Sequence, residues 1–310
     1  MVIKISVIIP VFNEAASIRD VMENTSRILS ATGYSHELIL IDDGSRDNTW
    51  ELLKQYSSTR SLIRAIRFTR NFGKEAAIQA GLSCARGDAA IVMDADLQHP
   101  PDLLPQMLSQ WENGGYEVVE GVKIRRQRES ALNRFGSMLF YRTLRMVSGF
   151  DLRQDTDFKL LDRKVINAYL SLHEKGRFFR TLIPYLGFRT ARISFSPDER
   201  ETGKPRFSFL KRFDLAVTAL TSFSSLPLHI VTLLGIFTFI FSFLLGAQTV
   251  YVKLSGRAVE GFTTVILIML FIGSILMIGL GIIGEYIARI FEEVKHRPSF
   301  VIAEEIRSGE

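Results

Sequence analysis

Residues 89–98 read AAIVMDADLQ, five apolar residues in a row that stop on two carboxylates, Asp94 and Asp96. An unbroken apolar run of this length reads as a strand buried on both faces, because a half-solvated strand alternates apolar with polar residues. Outward from it, similar runs recur at 5–9, 37–41, 62–68 and 117–121, with helical patterns between them near 15–30, 47–57, 74–86 and 102–113. Strands alternating with helices predict an α/β domain whose mostly parallel sheet is covered on both faces. In such a sheet, ligands bind beyond the carboxyl ends of the strands. Two acidic pairs fall there: Asp42 and Asp43 in ILIDDGS, and Asp94 and Asp96 in IVMDADLQ.

Carboxylates gathered in one crevice repel one another unless a cation or a donor-rich ligand lies between them. A hard divalent ion bridged to a diphosphate meets that need, since Mg²⁺ typically keeps one or two carboxylates and takes its other oxygens from water and phosphate. A lone D-x-D also arises as a turn or helix cap, but a second acidic pair at another strand end favours the ligand site. No G-x-G-x-x-G follows the first strand, and Gly73-Lys74 is followed by Glu75 and not by Ser or Thr. Dinucleotide oxidoreductases and P-loop NTPases are thereby excluded.

The chain has 310 residues, 47% of them hydrophobic and 23% charged, with a mean hydropathy of +0.15 and a net charge of +5. It is too apolar for disorder and too charged to lie wholly in a bilayer. Cys84 is the single cysteine, so neither an intramolecular disulfide nor a cysteine metal cluster is expected. The N-terminal apolar run stops at Pro10 and Asn13 and reads as a strand, not a signal peptide.

The far end differs in kind. Between Asp214 and Lys253, and again between Glu260 and Glu285, no Lys, Arg, Asp or Glu occurs. Each window holds at least the roughly 20 apolar residues that cross about 30 Å of hydrocarbon. Two transmembrane helices are expected, at 229–251 and 262–284. Basic flanks (Lys204, Arg206, Lys211 and Arg212 before, Arg289, Lys295 and Arg297 after) predict a multi-pass protein with its large domain and both termini in the cytoplasm. Residues 123–145 carry seven Lys or Arg against one Glu, the pattern of a helix lying on anionic lipid. Nucleic-acid binding is disfavoured, because the site end of the sheet is acidic.

Seven stretches narrow the reading: IPVFNEAASI, IDDGSRDNT, RNFGKEAAIQAGL, DADLQHPP, DFKLLDR at 157–163, ERETGKPRF at 199–207 and GIIGEYIARIFEEVKHRP. In order and spacing they resemble the motifs of bacterial polyisoprenyl-phosphate glycosyltransferases of the bactoprenol glucosyltransferase type, within glycosyltransferase family 2 and the GT-A fold. The resemblance runs nearly end to end. It implies inverting transfer of a sugar from a UDP-sugar to undecaprenyl phosphate at the cytoplasmic face of a bacterial inner membrane, for modification of cell-surface glycans such as lipopolysaccharide O-antigen. Glucose is the first expectation; N-acetylglucosamine, galactose, aminoarabinose and GDP-mannose are the alternatives. It also implies Mg²⁺ or Mn²⁺ as cofactor and a homotetramer.

Carried across by position, Pro10, Phe12, Glu14, Asp42, Asp43, Lys74, Asp94, Ala95 and Asp96 are implied to bind the nucleotide sugar, with Asp43 near the base or ribose. Asp94 and Asp96 are the implied metal ligands, Asp96 the more direct, and Asp157 joins Asp96 as the implied catalytic pair. Arg126, Arg128, Lys159, Arg200, Lys204 and Arg206 are implied to meet the lipid phosphate. Departures from the family pattern are Thr156 where glycine often precedes the aspartate, Lys159 in place of Arg, and Pro205-Arg206-Phe207 after Gly203-Lys204. Lysine lacks the bidentate fork of arginine, which weakens the phosphate role at Lys159.

A lipid monophosphate, with a second pKa of about 6, is largely a dianion near pH 7 and needs little help from a base. Asp157 is therefore expected to orient groups or hold a cation; a structural pair with Arg153 or Lys159 is the competing reading. His99 is expected in a loop beside the site and Cys84 in the core. The expected organisation is a nucleotide-sugar-binding core at 1–122, an acceptor-side interfacial region at 123–228, the spans within 229–284 and a tail at 285–310. Two rivals stand beside this reading. A processive synthase would carry Q-x-x-R-W, which neither Trp50 nor Trp111 ends. A non-catalytic assembly subunit would bind without transfer.

Overall fold

The structure is a computed structural model of the chain and describes residues 4–60, 62–96, 99–123, 156–172, 178–195, 226–255 and 261–307. Strands β1 (Ile5–Val11), β2 (His36–Asp42), β3 (Ile63–Phe68) and β4 (Ala89–Val92) run parallel in the spatial order β3-β2-β1-β4. The order reverses at β1, so a crevice is expected beyond the carboxyl ends of β1 and β4.

Alternate side chains of these strands divide between two cores. Ile5, Val7, Ile9 and Val11 of β1 pack with Leu38 and Leu40 of β2 under α1 (Ile18–Ala31) and α2 (Thr49–Thr59). Ile8, Ile39 and Ile41 point the other way, onto Ala77, Ile78 and Leu82 of α3 (Lys74–Cys84). Burial on both faces stabilises each such side chain by about 1.5–3 kcal/mol, which is why the strands read as unbroken apolar runs. Gly81 lets α3 lie against the sheet, since a Cβ there would collide with the Ile8 side chain. A 3₁₀ turn (Pro101–Leu103) leads into α4 (Leu104–Glu112) and then β5 (Val118–Lys123).

The sheet does not end at residue 122, where the expected core stopped. A short strand, β6 (Lys159–Asp162), inserts between β4 and β5 and runs antiparallel to both. It leads into α5 (Arg163–Ser171), capped by the Asp162 side chain on the Lys164 N–H. Helix α6 (Phe179–Tyr185) and β7 (Thr190–Phe195), parallel to β5, complete that edge. The boundary at 122 thus cuts a compact unit, because a four-residue strand ringed by charges carries too short a period to be read.

The expected tail also returns to this sheet. Strand β8 (Ile302–Arg307) pairs antiparallel with β3 at the opposite edge, held by Trp50 Nε1–H to Glu304 at 3.1 Å and by Arg64 against Glu305 at 2.5 Å. Its charged residues Glu304, Glu305 and Arg307 suit a solvated edge strand.

A second unit contains α7 (Leu226–Leu254) and α8 (Phe262–Val294). The expected spans lie within these helices. Among the described residues one segment, Phe271–Ala288, is long and apolar enough to cross a membrane, while the apolar run in α7, Leu233–Gln248, is shorter. Large apolar side chains stand exposed along both, Phe239, Phe243, Met269 and Met277 among them. The expected interfacial helix at 123–145 lies almost wholly outside the described residues.

Candidate active site

The antiparallel insertion of β6 creates the site. Its register sets Val92 opposite Lys159 and Ala89 opposite Asp162. Beyond the end of that ladder, Asp94 just past β4 and Asp157 just before β6 both come within reach of Lys74. Thr156 helps to fix the approach: its hydroxyl donates to the Gly121 carbonyl at 2.5 Å and accepts the Phe158 N–H at 3.2 Å. That bridge gives the departure from glycine a structural use.

A cation joins the two carboxylates. Lys74 Nζ lies 2.5 Å from Asp94 Oδ1 and 2.5 Å from Asp157 Oδ2. Asp157 is also gripped by Arg180 of α6, whose Nε and Nη2 donate to its two oxygens at 2.7 and 2.8 Å. Burial would raise the Asp157 pKa, but the Arg180 hydrogen bonds and the Lys74 charge outweigh it and hold the carboxyl well below the usual carboxylate range. Burial likewise disfavours the Lys74 charge, and Asp94 and Asp157 together reverse this and raise its pKa.

Lys74 is aimed by the loop before it. Both Asp43 oxygens accept backbone N–H groups, from Phe72 at 2.6 Å and Gly73 at 2.9 Å, which sets the first turn of α3. Gly44, at φ +71°, lets the loops approach, since a Cβ there would sit 2.7 Å from the Arg70 carbonyl carbon. Asp42 accepts the Ser45 N–H at 3.0 Å and lies 3.3 Å from Arg67 Nε. The loops after β1 and β2 are laced together: Asn13 N–H donates to Ser45 Oγ, Arg46 N–H to Asn13 Oδ1 and Glu14 N–H to Thr49 Oγ1, all within 3.0 Å.

His99 is no solvated loop residue. It is 2% exposed and stacks on Phe158 with ring centroids 5.0 Å apart. Its Nδ1 accepts the Asp94 N–H at 3.0 Å, which pins Asp94, and burial lowers its pKa. Glu75, next to Lys74, accepts the Phe179 N–H at 2.9 Å at the start of the helix that carries Arg180. Burial pushes the Glu75 carboxyl up to about 7 from an ordinary 4.5. A proton held more tightly when folded stabilises fully below about 4.5, and that contribution is lost as pH rises through about 7. Glu75→Gln is expected to flatten the fall in thermal midpoint across this window; an unchanged pH dependence would contradict it.

The structure thus brings Lys74, Asp94 and Asp157 together, with buried Ala95 and half-buried Asp96 following Asp94. Pro10, Phe12 and Glu14 lie at and beyond the end of β1, and Phe12 is 41% exposed. Asp43 is placed as the organiser of the turn before α3, with both oxygens engaged by backbone. Lys159 requires a correction. Its side chain is wholly buried and its Nζ sits 2.6 Å from Glu120 Oε1, with Arg192 at 3.3 Å on the other Glu120 oxygen. It is a partner inside the sheet, not a ligand for lipid phosphate. The competing pairing of Asp157 with Lys159 fails for the same reason. Arg126, Arg128, Arg200, Lys204 and Arg206 lie outside the described residues. Sequence reasoning missed Arg180 and Glu75, whose only signal was a charged residue next to an aromatic or a lysine.

Among the described residues no three acidic, histidine or cysteine side chains form a metal cage. Asp94 and Asp96 at one strand end instead fit a cation that takes most of its oxygens from a diphosphate and water.

Comparison with known proteins gives a consistent result. The sequence model for glycosyl transferase family 2 matches residues 6–170. An uncharacterized glycosyltransferase of Bacillus subtilis (strain 168) is 35% identical over 302 residues, covering 97% of this chain and 93% of that protein. The bactoprenol glucosyl transferase of Shigella phage SfV is 34% identical over 304 residues, covering 97% of this chain and 99% of its own. Among solved structures, glucosyl-3-phosphoglycerate synthase of M. tuberculosis shares the fold, with a TM-score of 0.50 at 19% identity over 71% of this chain and 80% of that one.

Proposed function

The chain belongs to glycosyl transferase family 2, and on that premise we propose that it moves a sugar from a UDP-sugar to a polyprenyl phosphate with inversion. The observation that carries this reading is the meeting of Asp94 and Asp157 on Lys74 beyond the carboxyl end of β4. An acceptor phosphate oxygen forms the new bond to the anomeric carbon. The bond from that carbon to the donor diphosphate breaks, and its electron pair leaves with the nucleoside diphosphate.

The acceptor dianion is nucleophilic without a base, so Asp157, held ionised by Lys74 and Arg180, acts by orienting those two cations. Lys74 and Arg180 face the negative charge of the phosphates, and preorganised charges of this kind stabilise a transition state without reorganising. Asp94 and Asp96 would hold Mg²⁺ or Mn²⁺, which supplies Lewis-acid assistance to the leaving diphosphate. The nucleotide lies along the rim made by Pro10, Phe12 and Glu14, beneath which buried Asp42 holds the Ser45 N–H. Arg126, Arg128, Arg200, Lys204 and Arg206 are the proposed contacts of the lipid phosphate.

Glucose is the proposed sugar; full-length likeness to a protein named as a bactoprenol glucosyl transferase supports it. The same likeness supports action at the cytoplasmic face of the inner membrane. Both charge-free windows are proposed to span the bilayer, with the catalytic unit and both termini inside, and the protein is proposed to assemble as a tetramer. Exposed apolar side chains along α7 and α8 favour a lipid or protein covering.

The test is transfer of labelled sugar from a panel of UDP- and GDP-sugars to undecaprenyl phosphate by purified protein in detergent, beside Asp96→Ala. The expected result is one lipid-linked product from UDP-glucose, lost with EDTA and reduced at least a hundredfold in the variant. No product from any donor, with nucleotide binding intact, would favour a non-catalytic subunit.

A further inference from the structure

We propose that Lys74 is a built-in counter-ion that occupies Asp94 and Asp157 before the donor arrives, and that it yields Asp94 to a divalent cation only when a nucleotide diphosphate draws the ammonium away. The inference rests on the functional reading above and adds an order to binding: the metal and the donor enter together.

The two carboxylates are not equally dependent on Lys74. Asp157 keeps its bidentate partner Arg180 if the ammonium leaves. Asp94 keeps, among the described residues, only the ring of His99, whose Nε2 is 3.8 Å away from its carboxylate. Departure of Lys74 therefore leaves Asp94 as the carboxylate in need of a new cation. While Lys74 remains, its charge 2.5 Å from Asp94 Oδ1 both occupies an oxygen and repels a divalent ion. The side chain is free enough to move, being 38% exposed at the first position of α3, where a phosphate is also favoured by the helix N-terminus. Its backbone does not have to shift, because Asp43 holds the turn before it.

The experiment is Mn²⁺ binding to the full-length protein in detergent, followed by electron paramagnetic resonance without any nucleotide. Lys74→Met and Lys74→Gln, both near the native shape without the charge, are expected to bind Mn²⁺ at least tenfold more tightly than wild type. Asp94→Asn is expected to abolish that gain. A gain below tenfold in folded variants, judged by thermal unfolding, overturns the proposal. If neither variant folds, the wild type decides: UDP is expected to tighten Mn²⁺ at least tenfold, and a smaller change overturns the proposal. The two readings fail separately. Tighter Mn²⁺ in the variants with no transfer by wild type from any donor removes the functional reading alone, whereas transfer by wild type with Mn²⁺ affinity unaltered in the variants removes this one.

Discussion

Asp157→Asn is expected to lower the rate of sugar transfer about 100- to 1,000-fold while the protein stays folded. Asparagine keeps the shape of the side chain and removes its charge. Arg180 then loses the two-oxygen partner it grips at 2.7 and 2.8 Å, and Lys74 loses one of its two carboxylates. Both cations lie about 38% exposed, so water screens much of the resulting repulsion and the fold survives. What is lost is their aim. A cation displaced by about 1 Å from a developing charge can cost on the order of 100-fold in rate. The measurement is steady-state transfer across pH, with kcat and KM separated for the donor. Because Asp157 is held ionised far below neutrality, the residual activity should keep the wild-type pH profile. Retention of more than a tenth of wild-type kcat would remove Asp157 from the machinery, and a profile that changes shape would make it the base instead.

Lys159→Met is expected to destabilise the protein by about 3–5 kcal/mol, the usual cost of leaving one member of a buried ion pair alone. Lys159 is completely inaccessible, and its register places it opposite Val92 on one side and Glu120 on the other. Without its ammonium, the buried Glu120 carboxylate keeps, among the described residues, only Arg192, whose side chain is 68% exposed and 3.3 Å away. Chemical denaturation of the single variant should show the loss in full. The double variant Lys159→Met, Glu120→Leu should recover most of it, since an apolar pair of similar volume avoids the desolvation of both charges. A neutral single variant would mean that the pair contributes nothing. Recovery in the double variant with unchanged affinity for polyprenyl phosphate would also separate Lys159 from the acceptor.

Much of this was legible in sequence. Strands β1, β2 and β4 announced themselves as apolar runs because each is buried on both faces, β3 showed through its apolar residues between Arg64 and Arg67, and the boundaries at 5, 63 and 89 fall within a residue of those expected. Asp94 and Asp96 were visible as carboxylates on the end of such a run. Less legible were β6 and β8, one too short and the other too charged to show a period. His99 looked like a loop residue since nothing in LQHPP foretells Phe158 stacking over its ring. Arg180 lies 23 residues from Asp157 and Lys74 lies 83 from it, so no local spacing joins them.

By itself, then, the sequence determined the parallel sheet, the acidic strand ends, the two charge-free apolar windows and the family, because each is written in local composition or in the order of motifs. Only the tertiary structure decided what the charged residues near the site do. Lys74 and Lys159 are both lysines beside the motifs, yet one reaches the crevice and joins two carboxylates while the other is sealed between strands against Glu120. The physical reason is the antiparallel entry of β6: it brings Asp94 and Asp157 within reach of Lys74 at the open end of the sheet, and two residues later turns Lys159 into the ladder where water cannot follow.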